Sequence, residues 1–168
     1  MTVETIMHDV IATTPHLRAF ATFMTGRKEY ADDLVQSTIL QALTTADQWR
    51  PGTNPRIWLF ITLCDEYHVM RIKSPNAWFA TESALARIRD LLETDSPLGF
   101  GDMLTTLSQL DDDQREAFLL TVCEEFQLDQ VAEICRTTPA AIWDRLVGAR
   151  MRLTNALSAS EGATVCQS

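Results

Sequence analysis

Apolar residues recur at intervals of three and four along almost the whole chain, and breaker residues are gathered into a few clusters. No other feature of these 168 residues limits the fold so strongly. The period is that of an α-helix with one buried face. Over 16–25, Leu17, Phe20, Ala21 and Met24 share a face, and Gly26 can close the helix. Over 29–46 the face is Leu34, Val35, Ile39, Leu40 and Leu43. Pro51, Gly52 and Pro55 then forbid continuation. Asn54 is suited to cap the next helix and Pro55 to begin it. That helix carries Ile57, Trp58, Phe60, Ile61, Leu63 and Cys64 inward to about residue 72.

The breakers KSPNAW and ETDSPLGFGD bracket a weaker helical stretch, about 81–93. Such a segment suits a linker between two lobes. Asp111, with Gln114 three residues on, forms the pattern of a capping box. A short helix follows with Leu128, Val131, Ala132 and Cys135 inward, then the turn RTTP, with Thr138 as cap and Pro139 as first helical residue. The last helix is expected to reach about residue 157 on Ile142, Leu146, Ala149, Leu153 and Leu157. Short helix, tight turn and longer helix make a helix-turn-helix arrangement. The expected fold is all-α: a three-helix unit over 1–76, a linker over 77–107, a helix-turn-helix unit over 108–158 and a disordered tail over 159–168.

Composition narrows the function. A 46% hydrophobic content supports a folded core and argues against a disordered chain. No apolar run approaches the roughly 20 residues that cross a bilayer, and the start MTVETIMHDV carries two acids where a secretion signal is basic. We expect a soluble, cytoplasmic protein with no membrane partner. Cys64, Cys123, Cys135 and Cys166 are too dispersed for a metal or redox motif, and read as small core residues plus one tail thiol. His8, His16 and His68 have no ligand pattern around them, and no phosphate-binding or hydrolase motif is present. The expectation is a protein that is not an enzyme and holds no metal or cofactor. The net charge of −9 favours protein partners, although clustered cations can still attract phosphate locally.

Five segments in order, LRAFATFMTG, ADDLVQSTILQAL, PGTNPRIWLF, LDDDQREAFLLT and VAEICRTTPAAIWDRLVGARMRL, resemble the bacterial RNA polymerase sigma factors of the extracytoplasmic-function type. These sigma-70 family members keep only the second and fourth sigma regions, and the chain looks most like the general-stress members of alphaproteobacteria. The resemblance implies that Asp32, Asp33, Leu34, Gln36 and Leu40 form the surface for the β′ clamp of core RNA polymerase. Asp32 and Asp33 also suit the positive end of a helix dipole. The resemblance places 47–56 on the loop that captures unpaired bases of the promoter −10 element. There Trp49, Arg50, Thr53, Asn54 and Arg56 supply an aromatic face, polar groups and cations. Trp49 by itself reads sooner as a plug between helices, the commoner use of a tryptophan. Arg145, Arg150 and Arg152 lie on the helix that reads the −35 element.

Several positions depart from the family. Asp65 and Glu66 stand where Asn and neutral residues are common, Cys64 where Arg is common, and only Arg71 and Lys73 remain for promoter backbone on that helix. Arg136 replaces a usual turn glycine, which costs of order 1 kcal/mol if φ stays positive, and Gln127 replaces a usual Ser cap. Trp143 replaces a usual Lys, Asp144 a usual Ser and Gly148 a usual Arg. From residue 110 onward there are five cations against ten acids. Trp143, Val147 and Met151 form an apolar row at i, i+4, i+8, beside the core stripe. It serves either a broad buried face or a docking row for a partner helix. Two functions follow from the resemblance. One is a working sigma factor, monomeric when unbound, that joins core polymerase, opens stress-type promoters and is held by an anti-sigma protein. The other is a mimic that binds the anti-sigma protein or the polymerase without reading promoter DNA.

Overall fold

A computed structural model describes residues 3–50, 52–74 and 107–165, with the side chains of 3, 156, 157 and 159–165 left undescribed. Helix α1 spans Val3–Thr25, α2 Lys28–Thr44 and α3 Pro55–Lys73, with one 3-10 turn at Ala46–Gln48. The second lobe holds α4 (Asp112–Phe118), which runs on into a π turn over Leu119–Cys123, then α5 (Leu128–Ile134) and α6 (Pro139–Val165). No strand occurs among the described residues, in line with the all-α expectation. The expected linker helix at 81–93, and most of the linker itself, lie outside the described residues, as do Pro51 and Cys166.

In the first lobe α1, α2 and α3 pack on one another pairwise. Leu17, Phe20, Ala21, Met24, Leu34, Val35, Ile57, Leu59, Phe60 and Leu63 are buried there. Phe20 meets Phe60 edge to face at 5.4 Å, a geometry that adds about 0.5–1.5 kcal/mol to area burial. The local signals act as expected. Gly26 takes φ 68° and closes α1, with its N–H bonded to the Thr22 carbonyl at 2.9 Å. The Asn54 side chain accepts from the Arg56 N–H at 2.9 Å, with Pro55 opening the helix.

Two element ends differ from expectation. Helix α1 begins at Val3 and passes through Pro15, not near residue 16. Ile6, Val10 and Thr13 bury a face upstream that continues to Leu17, whereas Pro15 lies on the exposed side. Tertiary packing there offsets the missing N–H of the proline. At the other end α6 continues to Val165, so the tail from 159 is helical almost to its end. The segment after Leu153 has alanines and no proline, and Ser158 bonds back to the Thr154 carbonyl at 3.0 Å. Gly162 weakens this stretch by about 1 kcal/mol without ending the helix.

In the second lobe α4 and α5 both pack on α6. Leu107, Leu110, Ala117, Leu119, Leu120, Val131, Ala132, Ile134, Ile142 and Ala149 are buried, and Leu146 and Leu153 partly so. The side chain of Leu157, the last residue of the expected stripe, is outside the described set. Arg115 is buried too. Its guanidinium donates to the carbonyls of Leu107 (3.0 Å) and Leu110 (2.8 Å) and to the carboxylate of Asp112 (3.0 Å). It also reaches the Met24 carbonyl in the last turn of α1 at 3.4 Å. Carbonyls left open at a helix end are natural partners for such a cation.

Both turns of this lobe place a charged residue at positive φ. Glu125 (φ 57°) and Arg136 (φ 53°) occupy the left-handed region. Each is followed by an N–H that reaches back over the helix end: Phe126 to the Leu120 carbonyl (3.1 Å) and Thr137 to the Ala132 carbonyl (2.9 Å). The second is a Schellman closure and the first a wider one that follows the π turn, and at both left-handed positions glycine is the usual residue. Arg136 therefore keeps the conformation of the turn and bears the strain. Gln127, expected to be a poor cap, works within a box: Gln130 Oε1 accepts from the Gln127 N–H at 2.9 Å.

Candidate functional site

Helix α2 splits the residues that the resemblance assigns to the polymerase. Leu34 is fully buried and Asp32 half-buried, its carboxylate 3.8 Å from Arg18. Leu34 is thus a core residue and not a contact, because the helix period turns it toward α1 and α3. Asp33, Gln36 and Leu40 are exposed at i, i+3 and i+7, one stripe along the helix. Leu40 is 69% exposed, so it leaves the buried stripe in which its apolar character placed it. An apolar group flanked by a carboxylate and an amide is a reasonable surface for a basic helix.

The loop before α3 is less uniform than its resemblance suggests. Arg50 and Asn54 are exposed, and Asn54 is occupied in capping. Trp49 is half-buried, and its indole N–H is enclosed with no acceptor among the described residues. Thr53 is half-buried and donates its N–H to the Arg50 carbonyl at 3.1 Å, holding the loop in a turn. Arg56 faces the second lobe. Its Nη2 donates to the Glu124 carboxylate at 2.7 Å and to the Glu124 carbonyl at 3.0 Å. The guanidinium stacks 4.5 Å over Phe126.

That contact belongs to a seam along α3. Phe60 meets Phe126 edge to face at 5.2 Å. His68 lies 3.4 Å from the buried Glu116 carboxylate, and Arg71 pairs with Asp112 at 2.8 Å. Residues 56, 60, 64 and 68 are one helical row, with Arg71 continuing it. Beside the row, Asp65 accepts two bonds from Arg136, at 3.0 and 2.6 Å. Glu124 receives a second cation-capable partner, His16 of α1, at 3.1 Å. Burial first, and the Glu116 carboxylate second, push the thiols of Cys64 and Cys135 upward and keep them protonated. Cys123 is exposed rather than in the core. No cluster of metal-ligating side chains occurs among the described residues.

The reading helix is altered in a legible way. Arg145 is drawn to Asp113 (3.6 Å) and Arg152 to Asp111 (3.1 Å) and the Gln109 carbonyl (3.0 Å). Arg150 is exposed and has no carboxylate partner among the described residues. Trp143, Val147 and Met151 are 60%, 43% and 63% exposed, so the row is an outward face and not an extension of the core. A Cβ at Gly148 would stand 2.7 Å from Gln114 Nε2, the far end of a flexible side chain, so a larger residue there requires Gln114 to turn aside. Gln114 is the residue whose side-chain oxygen accepts from the Asp111 N–H at the start of α4.

Sequence reasoning did not anticipate Glu116, Glu124 and Arg115 as buried charges, nor His16 and His68 as their neighbours. One signal was available. Asp65 and Arg136 are departures of opposite charge from the same family pattern, and they meet.

Comparison with known proteins agrees with the two-lobe arrangement. A family model of the sigma2 domain of PhyR matches residues 10–64, and one of sigma-70 region 4 matches 100–153. The solved sigma factor RpoE of Bartonella quintana, in complex with the anti-sigma factor NepR, superposes with a TM-score of 0.74. It has 29% identity over 93% of this chain and 98% of that one. CnrH, solved with the cytosolic domain of CnrY, gives a TM-score of 0.72 at 21% identity over 94% and 90% of the two chains, a likeness of fold. The ECF RNA polymerase sigma factor EcfG of Rhodopseudomonas palustris is 33% identical over 152 residues, 90% of this chain and 84% of that protein. Two helical lobes in the order of sigma regions 2 and 4, with that identity across nearly the whole length, show that the chain belongs to the extracytoplasmic-function sigma factors.

Proposed function

We propose that this protein binds core RNA polymerase through α2, directs initiation at stress-type promoters, and is held inactive by an anti-sigma protein. It works in the cytoplasm, carries out no reaction of its own and is a monomer when unbound. The observation that carries this reading is the exposed stripe of Asp33, Gln36 and Leu40 on α2, in a chain one-third identical to a sigma factor. In the reading Asp33 and Gln36 meet basic and polar groups of the polymerase clamp and Leu40 fills an apolar recess. Arg50 and Arg56 serve the unpaired −10 strand, and Arg150, with Arg145 and Arg152 once released from their carboxylates, serves the −35 duplex. The row of Trp143, Val147 and Met151 takes an apolar helix of the anti-sigma protein, since large exposed apolar side chains are poor partners for phosphate and good anchors for protein.

The test is reconstitution with core polymerase on a stress-type promoter fragment, followed by permanganate footprinting of unpaired thymines. Opening that depends on the protein is the expected result. It should be lost in Asp33→Ala/Leu40→Ala while Trp143→Ala keeps it.

A second reading is favoured by one combination. The first lobe matches the family model of the PhyR sigma2 domain, and the reading helix presents Trp143 and Asp144 where the family has Lys and Ser. On this reading the chain is a sigma mimic that sequesters the anti-sigma protein. Binding of the anti-sigma protein with no promoter opening at any polymerase concentration would decide for it.

A further inference from the structure

Two of the three α3 cations that the sigma resemblance assigns to promoter DNA are held by carboxylates of the second lobe. Arg56, from the −10 loop, has Glu124 at 2.7 Å; Arg71, from the backbone-contacting stretch, has Asp112 at 2.8 Å. Lys73 is exposed at the end of the same helix. Glu124 is itself buried and takes His16 as a further neighbour. An acid enclosed in this way needs its cation: removing one partner of a buried pair leaves an uncompensated charge. Outside this pair sits Asp65–Arg136, a fork-on-fork contact between the two lobes. Both members are departures from the family, and Arg136 holds its place at φ 53°, where a glycine would be unstrained.

We propose that the second lobe is an intramolecular stand-in for promoter phosphate. Glu124 and Asp112 occupy Arg56 and Arg71 in the closed molecule, and Asp65–Arg136 latches the lobes so that the chain masks two of its own promoter-facing arginines without a partner. Promoter DNA then has to displace two carboxylates, and the acidic second lobe gains a use that its poor reading helix does not explain. The role of the masked arginines rests on the sigma-factor reading; the closure does not.

The experiment is modification of the full chain by phenylglyoxal, an arginine reagent, at low salt, with the rate at each arginine followed by peptide mass spectrometry. Arg50, exposed on the same loop, is the internal reference. Arg56 and Arg71 should react about tenfold more slowly than Arg50, because protection tracks the population of the open form. Glu124→Gln should speed Arg56 severalfold toward the Arg50 rate, with the Glu124 carbonyl and the Phe126 ring keeping part of the protection. Asp65→Arg, which sets two cations against each other at an exposed position, should free Arg56 and Arg71 together. Adding Arg136→Asp should restore the slow rate by reversing the pair. Equal rates at Arg50 and Arg56 in the unaltered protein overturn the proposal, with no variant needed. Unchanged Arg56 protection in Asp65→Arg overturns the latch. Slow Arg56 in a chain that opens no promoter supports the closure and counts only against the sigma-factor reading.

Discussion

At the scale of single residues the departures from the family divide into those with a partner and those without. Arg136 carries a strained φ and an exposed ion pair, two terms of similar size: about 1 kcal/mol for the conformation and about 0–1 kcal/mol for the pair. Arg136→Gly should therefore leave thermal stability nearly unchanged. Arg136→Ala, which keeps the strain and loses the pair, should be less stable than the glycine variant by about 1 kcal/mol in urea titration. Equal stabilities for the two would show that the turn relaxes. On α2, burial separates neighbours in function. Leu34→Ala should cost about 2–5 kcal/mol. Leu40→Ala, at an exposed site, should stay within about 0.5 kcal/mol of the parent while weakening polymerase capture. A Leu40→Ala protein that binds polymerase as well as the parent would remove α2 from the interface.

At the scale of elements, the caps, turns and core stripes of the helix-turn-helix are readable, because each depends on residues within one turn of chain. Asp111 with Gln114, Thr138 with Pro139, and Ile142 with Ala149 all sit where local chemistry puts them. The direction of the second apolar row was not readable. Trp143, Val147 and Met151 could have faced a neighbour or solvent, and only the position of α4 and α5 around α6 leaves them outside. Since Trp143 is exposed, Trp143→Lys with Asp144→Ser should change stability by no more than about 0.5 kcal/mol. It should raise affinity for a promoter duplex and steepen its salt dependence, by close to one further phosphate contact, as read by fluorescence anisotropy across a salt series. A flat salt dependence would mean that this face stays away from DNA. The length of α1 was missed for a related reason: Pro15 is a local stop signal, and burial of Ile6, Val10 and Thr13 on the face away from it overrides that signal.

At the scale of the whole molecule, one helix, α3, organises the contact between lobes. His68 reports on it. The Glu116 carboxylate, assisted by Asp113 and Asp112, raises the His68 imidazole above its ordinary 6.5 against the opposing effect of burial. A raised folded-state value means that protonated His68 contributes stability fully below about pH 6.5, and that this contribution is lost as pH climbs through the raised value. The difference in urea midpoint between the parent and His68→Asn should accordingly be largest near pH 6 and shrink toward pH 8.5. A difference that grows with pH would mean that His68 does not face Glu116 in solution. Since Glu116 lies on the second lobe and His68 on the first, the same titration senses closure of the molecule.

Most of the helices and caps were legible in the chain, because periodicity, capping and turn chemistry act over a few residues and leave their pattern there, while the family was legible only through the resemblance of five segments in order. The same resemblance also marked Asp65, Arg136 and Trp143 as unusual. Tertiary structure alone decided what those residues do. Whether a charged side chain meets DNA, solvent or a partner 68 or 71 positions away depends on how α3 lies against the second lobe. That arrangement is set by long-range packing of Phe60 on Phe126, by the burial of Glu124 and by the Asp65–Arg136 pair, and none of these contacts has a local signature.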